Sequence, residues 1–205
     1  MPAVNHASTR ARPGRPRRRK TDEAITAAAR DLLAERGFQA TTVEAIALRA
    51  GVGRNTIYRR WRSKEELVAD ALRELTGDSD SWRGDDLYSQ LLSWLGDWAR
   101  TISDPLLGRI LASVVGELQR NPVFAAVYAD RVVRPRRQAL LERLADAQSR
   151  GELRADADLE HVADLLGGAL VFRLLPLGLP SLESDYAEKV LNTIWRGIAP
   201  LESPH

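Results

Sequence analysis

The chain has no cysteine. Disulfides and thiolate metal sites are therefore excluded, and the composition suits a reducing cytoplasm, the location expected here. Histidine is scarce. His6, His161 and His205 form no metal-ligand spacing, and none offers a plausible base for a nucleophile. Nucleophile-elbow, P-loop and dinucleotide-binding fingerprints are missing, so neither an enzyme nor a cofactor is expected. No apolar run approaches the ~20 residues of a membrane span. The N-terminus is basic but no apolar segment follows it, which argues against a signal peptide. Strand-like alternation is absent as well. What remains is apolar residues at helical spacing, and the fold class expected is all-α with about nine helices.

The net charge of +2 over 205 residues conceals an asymmetry. Residues 1–76 hold 16 Lys+Arg against 9 Asp+Glu, a surplus of +7, while residues 77–205 hold 14 against 19, or −5. A basic front on an acidic body is the electrostatic layout of a nucleic-acid binder with a separate second module. Three segments follow: a basic arm over 1–20, a small helical domain with a connecting helix over 21–76, and a larger helical domain over 77–205. The arm carries seven basic residues between Arg10 and Lys20, with Pro2, Pro13, Gly14 and Pro16. Self-repulsion and missing apolar groups predict disorder there.

The small domain is legible helix by helix. Ile25, Ala28, Ala29, Leu32 and Leu33 share one face of a helix over Asp22–Arg36. Gly37 supplies a stop, and Phe38 is expected to pack back into the small core. Thr41 and Glu44 have the spacing of a capping box opening a second helix, whose buried face is Val43, Ile46, Ala47 and Ala50. Gly51 ends it. A third helix over Arg54–Trp61 buries Ile57 and Trp61. Ser63 and Glu66 make another capping box, opening a fourth helix over Lys64–Leu75. The loop 77–84 is the expected domain boundary.

Two short helices joined by a glycine turn, the second polar outward, make a helix-turn-helix. Arg54 and Asn55 stand at the N-terminal end of the second helix, where base contacts are usual, and can pair in bidentate fashion with guanine and adenine. Thr42, Thr56, Tyr58, Arg59 and Lys64 are candidate phosphate contacts. Residues 22–70 resemble the DNA-binding domain of TetR-family transcriptional regulators. The resemblance rests on Gly37-Phe38, Thr41-Thr42-Val43, Ile46-Ala47, Ala50-Gly51-Val52, Thr56-Ile57-Tyr58, Trp61 and Lys64-Glu65-Glu66-Leu67. Trp61 stands where many members have Phe. The remaining length resembles that family's ligand-binding and dimerisation domain, and Gly151-Glu152-Leu153-Arg154 before a helix near Asp158 is similar to one subtype of it.

In the arm, Pro13-Gly14-Arg15-Pro16-Arg17 resembles an AT-hook. An extended chain there suits a narrow minor groove, with Arg15 and Arg17 meeting its negative potential. The alternative is a basic tail that adds only sequence-independent attraction.

The C-terminal part reads as helices at about 85–103, 105–119, 122–150, 158–175 and 184–199. Pro105 and Pro122 suit first turns. Pro135 falls inside a long helical pattern and predicts a kink. Pro176, Gly178 and Pro180 break the chain before the last helix. Trp94 and Trp98, Phe124 and Tyr128, and Phe172 are the candidate ligand-binding aromatics, with ordinary core as the other reading. The last two helices leave little polar face and are expected to form a homodimer interface, with burial inside one protomer as the alternative. In the family resembled, two such helices from each chain make a four-helix bundle. That resemblance implies a DNA-binding regulator released from a palindromic operator by an unidentified, apolar small-molecule effector. An architectural, nucleoid-type DNA-binding protein is the other reading.

Overall fold

The computed structural model describes residues 15–75, 82–174 and 185–200. Among these residues there is no strand, and no helix is long and apolar enough to cross a membrane. The helices of the N-terminal head are α1 (Arg15–Ala40), α2 (Val43–Arg49), α3 (Arg54–Tyr58) and α4 (Lys64–Leu75). The body contains α5 (Leu87–Ile102), α6 (Pro105–Leu118), α7 (Pro122–Tyr128), α8 (Arg134–Ser149), α9 (Leu159–Leu174) and α10 (Tyr186–Ile198). A π-turn at Ala129–Val133 makes α7 and α8 one continuous rod, so the described residues form nine helical rods. The expected break at Pro176–Pro180, most of the 77–84 loop and residues 1–14 of the arm lie outside the described residues.

Helix α1 begins earlier than its apolar pattern predicts. Residues 15–20, expected to belong to a disordered arm, extend it by more than a turn. Pro16 sits in the first turn, where its missing N–H has no intrahelical acceptor to lose. Arg19 pairs with Glu23 one turn on, at 3.1 Å. At the other end Gly37 (φ 72°, ψ 177°) bends the chain out of helix. The positive φ favours glycine there, and a Cβ would also press on Ser113 Oγ at 3.0 Å.

The cap of α2 differs from the expected one by a residue. Thr42, not Thr41, is the N-cap, its hydroxyl accepting from the amide of Ala45 at 3.1 Å. Thr41 is fully buried and donates its hydroxyl to the Gly37 carbonyl at 2.8 Å. The T-x-x-E spacing to Glu44 fits Thr41 alone, but the Gly37 bend takes the Thr41 hydroxyl and leaves the cap to Thr42. At Ser63 half of the expected box forms: Glu66 N donates to Ser63 Oγ, while the Glu66 carboxylate accepts from the amide of Arg62, one residue before the cap.

Three apolar clusters organise the molecule. The head core joins Ile25, Ala28, Ala29 and Leu32 of α1 to Val43, Ile46, Ala47, Ile57, Trp61, Leu67 and Ala71. The body core is built on Leu91 and Leu95 of α5, Leu140 and Leu144 of α8, Leu166 and Leu170 of α9 and Leu191 of α10. A third cluster welds head to body: Leu33, Phe38, Val68 and Leu72 pack on Ile110, Val114, Phe124 and Val132. Phe38 therefore does not enter the small head core, as expected, but meets Phe124 at a ring-centroid distance of 4.4 Å. The Gly37 bend turns it there.

Pro135 perturbs its helix, and the perturbation lies before it. Proline cannot donate to the carbonyl of residue 131, and its ring crowds that turn. The turn over Ala129–Val133 relaxes to π geometry.

Phe124 is 0% exposed at the head–body weld. Phe124→Ala is expected to destabilise the protein by about 3–5 kcal/mol in urea unfolding, the usual range for a buried phenylalanine. A loss under about 1 kcal/mol would show that the weld does not depend on this ring.

Candidate nucleic-acid interface

The geometry of α3 follows from its two apolar anchors. Ile57 and Trp61 are buried in the head core. The Trp61 indole N–H donates to Asp70 Oδ2 of α4 at 2.8 Å, which fixes the ring. Gly51, at φ 65°, turns the chain between α2 and α3, and the amide of Val52 closes onto the Ala47 carbonyl at 3.0 Å. Burial of one side turns the other outward: Arg54, Asn55, Tyr58 and Arg59 are exposed, and Thr56 is half-buried. Among the described residues, the side chains of Asn55, Tyr58 and Arg59 make no hydrogen bond within the protein.

Arg54 has a partner. Its Nη1 donates to Glu44 Oε1 of α2 at 2.7 Å, across the turn. The Arg54 hydrogen bond holds the Glu44 carboxyl below its ordinary range, helped by the backbone amide of Glu44, the nearby guanidinium charge and Thr42. Sequence reading assigned Glu44 to a capping box and missed this pairing. A ten-residue separation across a turn has no helical periodicity to reveal it. Arg60 was also missed. It joins Asp22 of α1 and donates from Nη1 to the Thr56 carbonyl at 2.8 Å, tying the end of α3 to α1.

Thr42 retains its hydroxyl proton while capping α2, so it can still donate to a phosphate. Lys64 also has a partner within the protein. Its ammonium donates to the Phe38 carbonyl at 3.0 Å and lies 4.1 Å from the Phe38 ring centroid. Burial lowers its pKa, partly opposed by Glu65 and Glu117. Lys64 thus commits one of its three ammonium donors at the head–body weld. In the arm, Arg15 and Arg17 lie in helical backbone and their side chains are outside the described residues. The extended conformation an AT-hook requires is therefore not that of its described half. Arg18, Arg19 and Lys20 are exposed beside them.

The five candidate ligand aromatics do not converge. Trp94 and Trp98 flank the body core, where the Trp82 ring stacks on Trp94 at 5.4 Å and the Arg143 guanidinium stands 4.5 Å from the Trp82 centroid. Trp98 covers Gly167, whose added Cβ would meet it at 3.7 Å. Phe124 and Tyr128 belong to the weld, where burial raises the Tyr128 pKa. Phe172 is 66% exposed on α9. An i, i+4 spacing reports a common helix face and not what that face meets, which is why the grouping fails. Trp82 lay in an expected loop and had no pattern to mark it.

One carboxylate connects the reading helix to the body. Asp70 of α4 accepts from the Trp61 indole and from Arg131 Nη1 of the π-turn, the latter at 3.0 and 3.1 Å to its two oxygens. Arg131 Nη2 also pairs with Glu66 at 3.0 Å. Beside it, Gln39 Nε2 donates to both oxygens of buried Glu117, and Phe38 N donates to Ser113 Oγ.

Comparison with known proteins agrees with this architecture. Residues 25–71 match the model for bacterial regulatory proteins of the tetR family, and residues 76–194 match that for the tetracyclin repressor-like C-terminal domain. The chain is 32% identical over 188 residues to the uncharacterized HTH-type transcriptional regulator YdeS of Bacillus subtilis, covering 90% of this chain and 93% of that protein. The solved TetR family transcription regulator SCO0332 superposes with a TM-score of 0.72 at 27% identity, over 88% of this chain and all of that one (100%). The Flavonoid-responsive Regulator FrrA superposes with a TM-score of 0.61 at 25% identity, over 88% and 98% of the two chains. With a helix-turn-helix head, a welded helical body and matches across both, the chain belongs to the TetR family of DNA-binding transcriptional regulators.

Proposed function

We propose that this regulator is a homodimeric repressor that leaves a palindromic operator when a small apolar effector binds its body. The observation that carries the reading is the outward polar face of α3, held by the buried Ile57 and Trp61. Arg54 and Asn55 are assigned to base edges; Thr42, Thr56, Tyr58, Arg59 and the remaining donors of Lys64 are assigned to phosphates. Exposed Arg18, Arg19 and Lys20 add sequence-independent attraction.

Dimerisation is supported by α9. Leu165 (58% exposed), Gly168, Val171 and Phe172 fall at i, i+3, i+6 and i+7 on one uncovered side, while Leu166 and Leu170 fill the protomer's own core. Large apolar groups grouped on one helix face call for a second surface. A two-fold dimer reads two-fold DNA, with α3 helices about 34–36 Å apart for successive major grooves.

Effector control is supported by the way α4 is held. Asp70 and Glu66 join it to the π-turn while Trp61 joins it to the reading helix. An effector acts only through unequal affinity for two head spacings; about 100-fold preference, near 2.7 kcal/mol, would empty an operator appreciably. The aromatic body and the relative named as flavonoid-responsive both favour an apolar, aromatic effector.

Selection from random duplex DNA tests the reading. A palindrome with half-sites one helical turn apart is expected, bound at least about a thousandfold tighter than bulk DNA. Recovery of no common sequence would favour an architectural protein instead. Leu165→Glu with Phe172→Glu is expected to yield a monomer in analytical ultracentrifugation and to abolish tight operator binding. A stable dimer of this variant would move the interface elsewhere. Replacing Arg18, Arg19 and Lys20 by Gln is expected to flatten the log–log salt slope of binding by about 1–3; an unchanged slope would leave these three side chains without a role.

A further inference from the structure

The Glu44–Arg54 pair lies on the face assigned to DNA, yet it places a carboxylate where phosphates approach. Both side chains remain accessible, at 62% for Arg54 and 57% for Glu44. An exposed pair of this kind contributes little to folding. Its position at the reading surface needs another reason, and the bonding pattern supplies one. Glu44 engages only Nη1 of the guanidinium. The edge formed by Nε and Nη2 is left free, and two parallel donors on one edge are what guanine O6 and N7 accept.

We propose that Glu44 is a specificity-determining positioning residue, which holds Arg54 by one nitrogen so that its remaining edge is presented to a guanine. The assignment rests on the reading that Arg54 contacts bases. A free arginine on a flexible stem satisfies any phosphate it can reach, so it strengthens binding to all sequences alike. An arginine already held by a carboxylate loses that pair if it swings to a phosphate, and it keeps the pair when it bonds guanine in place. The carboxylate also repels the phosphate backbone wherever the fit is poor. Both effects weaken non-specific complexes more than the specific one, which widens the difference between them.

The test uses the full-length protein and duplexes selected by it from random DNA, with every single-base variant of the recovered site and a scrambled duplex of equal length. Binding is followed by fluorescence anisotropy across a salt series for wild type, Glu44→Gln, Arg54→Ala and the double variant. Glu44→Gln keeps size but replaces the charged acceptor by a neutral amide that holds a guanidinium weakly, and circular dichroism checks that it folds. Expected are a roughly tenfold loss of preference at the base pair that Arg54→Ala also affects, tighter binding to the scrambled duplex, and a salt slope steeper by about one. In the double variant Glu44→Gln should add no further loss. Unchanged base preference in Glu44→Gln, with Arg54→Ala impaired, overturns the role of Glu44 and leaves base reading by Arg54 standing. A loss at a different base pair that persists in the Arg54→Ala background also overturns it, and shows direct reading of a base by the carboxylate. If Arg54→Ala itself keeps the wild-type preference, the underlying assignment fails and this role falls with it.

Discussion

The insertion of Ile57 and Trp61 into the head core is the constraint on which the reading surface depends. Helix α3 spans only Arg54–Tyr58, too short to persist alone in water. Its direction is set by what it buries. Ile57 is 1% exposed and Trp61 6%, and the Trp61 indole is pinned by Asp70. With that side fixed, Arg54, Asn55, Tyr58 and Arg59 have no orientation except outward. The polar face is thus a consequence of apolar packing, and a change in the core beneath it would act on DNA binding without touching a DNA contact.

The same logic extends to the weld between head and body. Apolar contact between Phe38 and Phe124 would by itself tolerate sliding, since hydrophobic attraction is non-directional. The polar groups around it remove that freedom. Glu117 is 1% exposed and is satisfied by Gln39; the Lys64 ammonium is satisfied by the Phe38 carbonyl and ring. A buried charged or polar group that loses its partner is costly, so these bonds admit few alternative registers. Packing supplies adhesion here, and the hydrogen bonds supply the angle.

Much of this was legible in the chain, and the boundary of legibility has a physical origin. The apolar faces of α1 and α2, the extent of α4, the Gly51 turn and the cap at Ser63 follow from local spacing, because each is decided within one or two turns. The approximate extents of α5, α6 and α9 follow for the same reason, and in the structure Asp86 and Asp104 cap α5 and α6. What escaped was set between elements. Thr42 rather than Thr41 caps α2 because the Gly37 bend claims Thr41. Phe38 leaves the head core because the same bend aims it at Phe124. Lys64 turns to the weld because Phe38 is there. The aromatics of the body divide among three surroundings that no helical wheel distinguishes, and Glu44 meets Arg54 only once the turn has folded.

These non-local contacts also explain how a single glycine can matter at a distance from any functional group. Gly37 adopts a positive φ and sits close against Ser113. From that bend follow the burial of Thr41, the direction of Phe38, the bond from Phe38 N to Ser113 and the seat of Lys64. Helix α4 starts at Lys64 and carries Glu66 and Asp70 within its next two turns, so its placement sets the side chains that meet Arg131. Trp61 and Arg131 share Asp70, one from the reading head and one from the body. A movement of α4 relative to the π-turn must therefore either break the Arg131 bonds or carry Arg131 with it. The first course strands a half-buried carboxylate beside the indole. The second displaces the turn already loosened from α-helical hydrogen bonding by Pro135.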